Sequence, residues 1–226
     1  MTNASKKRWS MVALLIVSCL GLMPEVRGAD EARKLPSAVM LKRAPDRSSN
    51  GERAWPELDP LEIEKISAAL PERGSIPTGK SKRRLLVFFR TDDYPHLSIP
   101  HWNKLIQMLG ERTGAFETVF SQRTEDLNPE NLRGFDAVFF NNTCRMKTPP
   151  EVRAALQGFV REGKGFAGNH GAGDNWHDWE EGTQMLGAEF INHPFGSIRI
   201  KVDEPGHPLT KMFSESSFPF LSLIHI

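Results

Sequence analysis

Four side chains carry most of the chemistry this sequence offers: His96, His170, Asp174 and His193. Neutral imidazoles and a carboxylate are good ligands for zinc or a related divalent ion. A catalytic centre of that kind uses three protein ligands and leaves a position for water or substrate. His170, Asp174 and His193 are the metal-ligand candidates, and the short spacing from His170 to Asp174 lets both face one pocket. The same groups also serve without a metal, with His96 and His170 moving protons near neutral pH and Asp174 orienting them. A third reading is structural: Asp174 caps the segment that follows, and the histidines bond to backbone. Asn141, Asn142, Thr143, Trp176 and His177 are candidates for substrate contact, because amides, a hydroxyl and an aromatic face next to polar groups suit a sugar; the alternative is that Asn141 to Thr143 satisfy the backbone where the third strand ends and the Trp176 loop is an ordinary lid over the core.

These residues need a scaffold that gathers them. The apolar run Leu85 to Phe89 predicts a strand covered on both faces, as in a parallel sheet. A helix follows, with Ser98 as cap, Pro100 in the first turn, Trp102, Leu105, Ile106 and Leu109 on one face, and Gly114 as its stop. Phe116 to Phe120 predicts a second strand and Asp136 to Phe140 a third. Thr148, Pro149, Pro150 and Glu151 then predict an N-cap and capping box for a helix whose stripe is Val152, Ala155, Leu156, Phe159 and Val160, with Gly163 as its stop. Gly165 to Asn169 is a fourth strand. This alternation predicts a doubly wound, mostly parallel α/β sheet. Its strand-to-helix loops would collect 90–96, 141–144 and 169–177 on one edge, where such sheets bind ligands.

Taken in order, several stretches resemble the trehalose-utilisation ThuA-like family: His96-Leu97-Ser98-Ile99-Pro100, Phe135-Asp136-Ala137-Val138 with Asn141-Asn142-Thr143, Gly165 to His170, and Gly187-Ala188-Glu189-Phe190 with His193-Pro194. The resemblance covers 83–220. It implies a fold similar to that of class I glutamine amidotransferases and a carbohydrate substrate, a sugar or an oxidised keto-disaccharide. The family commonly reads Gly-Ile-His-Ala-Ala where this chain has Gly168-Asn169-His170-Gly171-Ala172, and Gly-Phe-x-His where it has Asp93-Tyr94-Pro95-His96. His170 stands where an amidotransferase would place its nucleophilic cysteine, so glutaminase activity is not expected. Cys144 reads as a small packed thiol. The resemblance also implies sheet elements beyond Phe220, so the domain is expected to be incomplete at its C-terminus, with 221–226 a non-native tail.

The 226 residues carry 29 Lys+Arg against 28 Asp+Glu, a net charge of +1, which removes the electrostatic argument for a nucleic-acid partner. With 39% hydrophobic residues the chain can bury a core. Lys6, Lys7 and Arg8 precede the apolar run Met11 to Met23, and Gly28 and Ala29 follow, the order of a secretory signal over 1–28. Export to the periplasm or exterior is the expectation, with no membrane association after cleavage; a lipid anchor on Cys19 is the lesser alternative. Residues 29–82 read as a linker rich in charged residues, Pro and Ser, holding one short helix over 59–70 that is capped by Asp59 and Glu62 and ended by Pro71. Two functions follow from these observations: an exported carbohydrate-processing enzyme, acting with or without a metal, or a non-catalytic sugar-binding or scaffold module of an exported assembly.

Overall fold

A computed structural model describes residues 52–71, 82–192, 198–213 and 216–220. The expected signal segment, most of the linker, His193 and the last six residues lie outside the described residues. In chain order the elements are helix α1 (Pro60–Ala69), strand β1 (Arg83–Phe88), helix α2 (Ile99–Thr113), strand β2 (Phe116–Ser121), a 3-10 turn (Thr124–Leu127), the short helix α3 (Pro129–Leu132), strand β3 (Ala137–Asn141), helix α4 (Pro150–Arg161), strand β4 (Gly165–Asn169), a second 3-10 turn (His170–Asp174), helix α5 (Glu180–Leu186) and strands β5 (Ile198–Lys201) and β6 (Ser217–Phe220).

The first four strands form one parallel sheet in the order β2-β1-β3-β4. β5 and β6 pair antiparallel in a separate two-stranded sheet. Leu86, Phe88, Val138, Phe140 and Phe166 point to one face and join Val152, Ala155, Leu156 and Phe159 of α4 in the main core. The other face meets α2 through buried Val87, Ile99 and Ile106 and through Trp102, whose ring centroid lies 6.4 Å from that of Phe139. Burial on both faces is what the uninterrupted apolar runs of β1 and β3 require. The strand order reverses between β1 and β3, and the crevice beyond their carboxyl ends is where this architecture leaves room for a ligand.

Local signals set most of the helix ends. Asp59 Oδ1 accepts from the Glu62 amide at 2.8 Å and Glu62 Oε2 accepts from the Asp59 amide at 2.9 Å, so both arms of the capping box are formed. Gly114 and Gly163, expected as stops, take φ of 69° and 83°, a region where a Cβ is penalised. Two expected caps are corrected. Ser98 holds the N-cap position of α2 without a side-chain hydrogen bond. Thr148 does not cap α4, whose N-cap is Pro149; its hydroxyl donates to Met146 O at 3.1 Å and accepts from the Trp176 indole at 2.7 Å. Tertiary demand from a buried indole outcompetes the local cap.

Part of the expected linker is packed on the domain. Gln122 accepts from the Arg53 amide at 3.0 Å and donates to the Arg53 carbonyl at 2.9 Å. Arg112 of α2 reaches Ser67 Oγ at 2.7 Å and the Ser67 carbonyl at 2.9 Å, which docks α1 on α2. Among the described residues no helix is long and apolar enough to cross a membrane.

Candidate functional site

The carboxyl ends of β1, β3 and β4 raise three loops around one mouth. Strand register decides what meets there, since pairing Phe88 with Phe140 and Asn141 with Asn169 ends the strands together. The loops are stitched by hydrogen bonds, some at the surface and some buried. The Asp92 amide donates to the Cys144 carbonyl at 3.0 Å, the Lys147 amide donates to Asp92 Oδ2 at 2.7 Å, and Asn175 Nδ2 donates to Thr143 Oγ1 at 2.6 Å. Among the described residues, four non-glycine residues have positive φ, and all lie in these loops: Asn142 (49°), Arg145 (46°), His170 (40°) and Trp176 (60°). Such conformations cost on the order of 1–3 kcal/mol each and persist where the surroundings over-determine them, most often around functional sites.

His170 opens the turn directly after β4, and its ring meets that of His96 edge-on, with centroids 4.6 Å apart and planes at 85°. Tyr94 continues the row, its ring 4.9 Å from that of His96. A Cβ on Gly171 would stand 2.8 Å from His96 Cε1 and 3.2 Å from the Asn142 carbonyl oxygen, so the imidazole occupies space that only a glycine leaves. Burial, assisted by the charge of His170, lowers the His96 pKa to about 4. His96 is a neutral imidazole at neutral pH, and its Nδ1 is buried without a protein partner.

Asp174 anchors the outer part of the mouth. Its Oδ2 accepts from Cys144 Sγ at 3.1 Å and from Arg145 Nε at 3.3 Å, and its Oδ1 meets His177 Nε2 at 2.7 Å. Burial works to raise the Asp174 pKa, but the hydrogen bonds from His177 and Cys144 and the charge of Arg145 outweigh it and hold the carboxyl below its ordinary value. His177 Nδ1 meets Glu189 Oε1 at 2.8 Å, and the bonds to Asp174 and Glu189 raise its pKa above the usual imidazole value. Burial and the bond to Asp174 push the Cys144 thiol up to about 12, which leaves it protonated and a poor nucleophile.

The mouth thus brings together His96, His170 and Asp174, with His177 beside them. Asn141, Asn142 and Thr143, expected to touch substrate, are fully buried instead. Asn141 Nδ2 donates to the Ile99 carbonyl at 3.0 Å and Asn142 Nδ2 donates to Asn141 Oδ1 at 2.8 Å, so they hold the loop in place. Trp176 is also corrected. It is 3% exposed and packs between Phe140 and Trp179, with ring centroids at 5.4 and 4.7 Å. An indole gains more from that core than from a wet loop. Among the described residues no group of three or more His, Cys, Asp or Glu side chains is placed to hold a metal. Both oxygens of Asp174 are already engaged. The expected zinc set of His170, Asp174 and His193 is therefore not assembled by the described residues, since His193 lies outside them.

Sequence reasoning missed Asn169, Arg145, Glu189 and Tyr94. Asn169 Oδ1 accepts from the Asn142 amide at 2.8 Å and supports its left-handed conformation, while Asn169 Nδ2 and Asn142 Oδ1 are buried without a protein partner. The opposition of Asn141 to Asn169 in register was the available signal. Glu189 lies in the stretch Gly187-Ala188-Glu189-Phe190 that carries the family resemblance but was not singled out, and Arg145 carries no local pattern that separates it from a solvated charge.

Fold and loops together define a parallel α/β domain whose strand-end loops bring two imidazoles into contact. The chain belongs to the ThuA trehalose-utilisation family, whose model matches residues 84–220, more than half of its length. Among solved structures it is similar to a ThuA-like protein from Bacteroides uniformis ATCC 8492, with a TM-score of 0.53 and 20% identity. That similarity covers 66% of this chain and 62% of the other, so the chain spans less than two thirds of that relative. Comparison with curated proteins gave no match.

Proposed function

We propose that this chain is an exported carbohydrate-processing enzyme acting on a sugar or keto-disaccharide, without glutaminase chemistry. The observation that carries the reading is the edge contact of His96 and His170 at 4.6 Å at the mouth of the crevice. His170, on the strained turn after β4, is the group that moves a proton or polarises the substrate. His96, neutral at neutral pH, hydrogen-bonds to a substrate hydroxyl or carbonyl. Asp174 orients the outer wall through His177 and Arg145. Cys144 is buried and protonated, which supports a route without a thiolate. Zinc enters this reading only through His193, and metal analysis of the purified chain tests it. Export rests on the charged, apolar and small-residue order of the first 29 residues.

A second reading, a sugar-binding module without turnover, is favoured by the low pKa of His96, since a general base works best with a pKa near the operating pH. One experiment separates the two. The purified chain and His170→Ala are incubated with a panel of keto-disaccharides, and both turnover and binding are measured. The enzyme reading expects turnover that falls by about 10²–10⁴-fold in the variant. Binding without turnover that survives the substitution assigns the chain to the module.

A further inference from the structure

The expected aromatic contact, Trp176, is spent in the core, yet a sugar site gains much of its affinity from an aromatic face that covers the apolar side of the ring. One aromatic at the mouth is open. Tyr94 is 53% exposed and is the chain's single tyrosine. Its ring stands 4.9 Å from that of His96 at 70°, and His96 in turn meets His170, so the three rings form a row leading inward from the surface. The backbone beneath the phenol is fixed, because Thr91, fully buried, donates its hydroxyl to the Tyr94 carbonyl at 2.9 Å. An exposed aromatic on a fixed backbone binds at little cost in conformational entropy.

The charges nearby are paired, with Arg145 and His177 set among three carboxylates. Arg145 lies 3.4 Å from Asp93 and 3.3 Å from Asp174, and His177 sits between Asp174 and Glu189 at 2.7 and 2.8 Å. A rim of paired charges with a carboxylate in excess offers hydrogen bonds and repels an anion, which suits a neutral polyhydroxylated ligand better than an anionic one. We propose that Tyr94 is the stacking platform of the mouth, on which a neutral sugar ring lies with its polar edge turned toward His96 and His170. This rests on the carbohydrate reading above and names the residue and the contact that it lacked.

A single tyrosine gives a direct readout. The full chain is labelled with ring-¹³C tyrosine and histidine and titrated with trehalose and its keto derivative. The Tyr94 ring signal is expected to shift saturably together with histidine signals. Tyr94→Ala is expected to weaken binding about tenfold and Tyr94→Phe to stay within about twofold, since the π face and not the hydroxyl carries the contact. Tyr94→Leu replaces the alanine variant if the latter does not fold, removing the aromatic face while keeping bulk. Histidine signals that saturate while Tyr94 stays still, or an alanine variant that binds like the parent chain, overturn the platform and leave the carbohydrate reading intact. No response from either residue type to either sugar overturns both.

Discussion

Two histidines on one mouth illustrate opposite solutions to the same chemistry. His96 lies inside, wedged against Gly171 and His170 with a buried nitrogen unpartnered, and burial strips its charge. His177 lies on the rim, its side chain 41% exposed, with a carboxylate on each nitrogen that raises its pKa. The residue type is the same, so the surroundings alone decide which is held neutral and which is pushed toward its charged form. The inner region is over-determined by packing and backbone strain, whereas the rim is held by exchangeable ion pairs.

The inner region should therefore be far more sensitive to substitution. Trp176→Ala removes the indole that packs between Phe140 and Trp179 and donates to Thr148, and should lower stability by about 3–5 kcal/mol in denaturant unfolding. A loss below about 1 kcal/mol would place the ring outside the working core.

The pH dependence should run in opposite directions for the two histidines. The folded chain holds His96 neutral down to about pH 4, whereas the unfolded chain protonates it near 6.5. The unfolded state then binds the extra proton, so the contribution of His96 is full above about 6.5 and drains away as pH falls toward 4, by about 3 kcal/mol. His96→Gln should flatten that acid limb in unfolding curves taken across this window. The pKa of His177 is raised, so its contribution is full below 6.5 and is lost as pH rises through its folded value. The His177 contribution is the smaller, because the pair is solvent-screened.

Gly171→Ala tests the wedge itself. The new Cβ would meet His96 Cε1 at 2.8 Å, and the expected cost is about 1–3 kcal/mol, with the His96 pKa moving back toward 6.5 in an NMR titration as the ring is displaced. Gly173→Ala is the control, since the nearest atom to its Cβ is 3.9 Å away. Equal effects from both would remove the special role of position 171. The smallest change belongs to the rim: Glu189→Gln should lower the His177 pKa while altering stability by less than about 1 kcal/mol, an effect that high salt diminishes.

Much of the scaffold was legible because its signals are local. Continuous apolar runs announced β1 and β3, the stripe from Val152 to Val160 announced α4, and Asp59 with Glu62 announced α1. The crossover between β2 and β3 was not foreseen, since a 3-10 turn and the four-residue α3 are too short to show a period. The mouth was half legible. His96 and His170 stood out by type, but Trp176 looked like a ligand contact until Phe140, Phe166 and Thr148 were seen to surround it. Asn142 read as a substrate contact and Asn169 as the end of the fourth strand, and their mutual bond spans 27 positions.

By itself, then, the sequence determined the order of the four parallel-sheet strands and of helices α1, α2 and α4, the edge on which the loops collect and the chemical types present there, because periodicity and caps act within a few residues. Only the tertiary structure decided which imidazole lost its charge, which aromatic stayed at the surface and which amides vanished into the wall. Those outcomes depend on desolvation and on partners distant in the chain, and neither is written in local spacing.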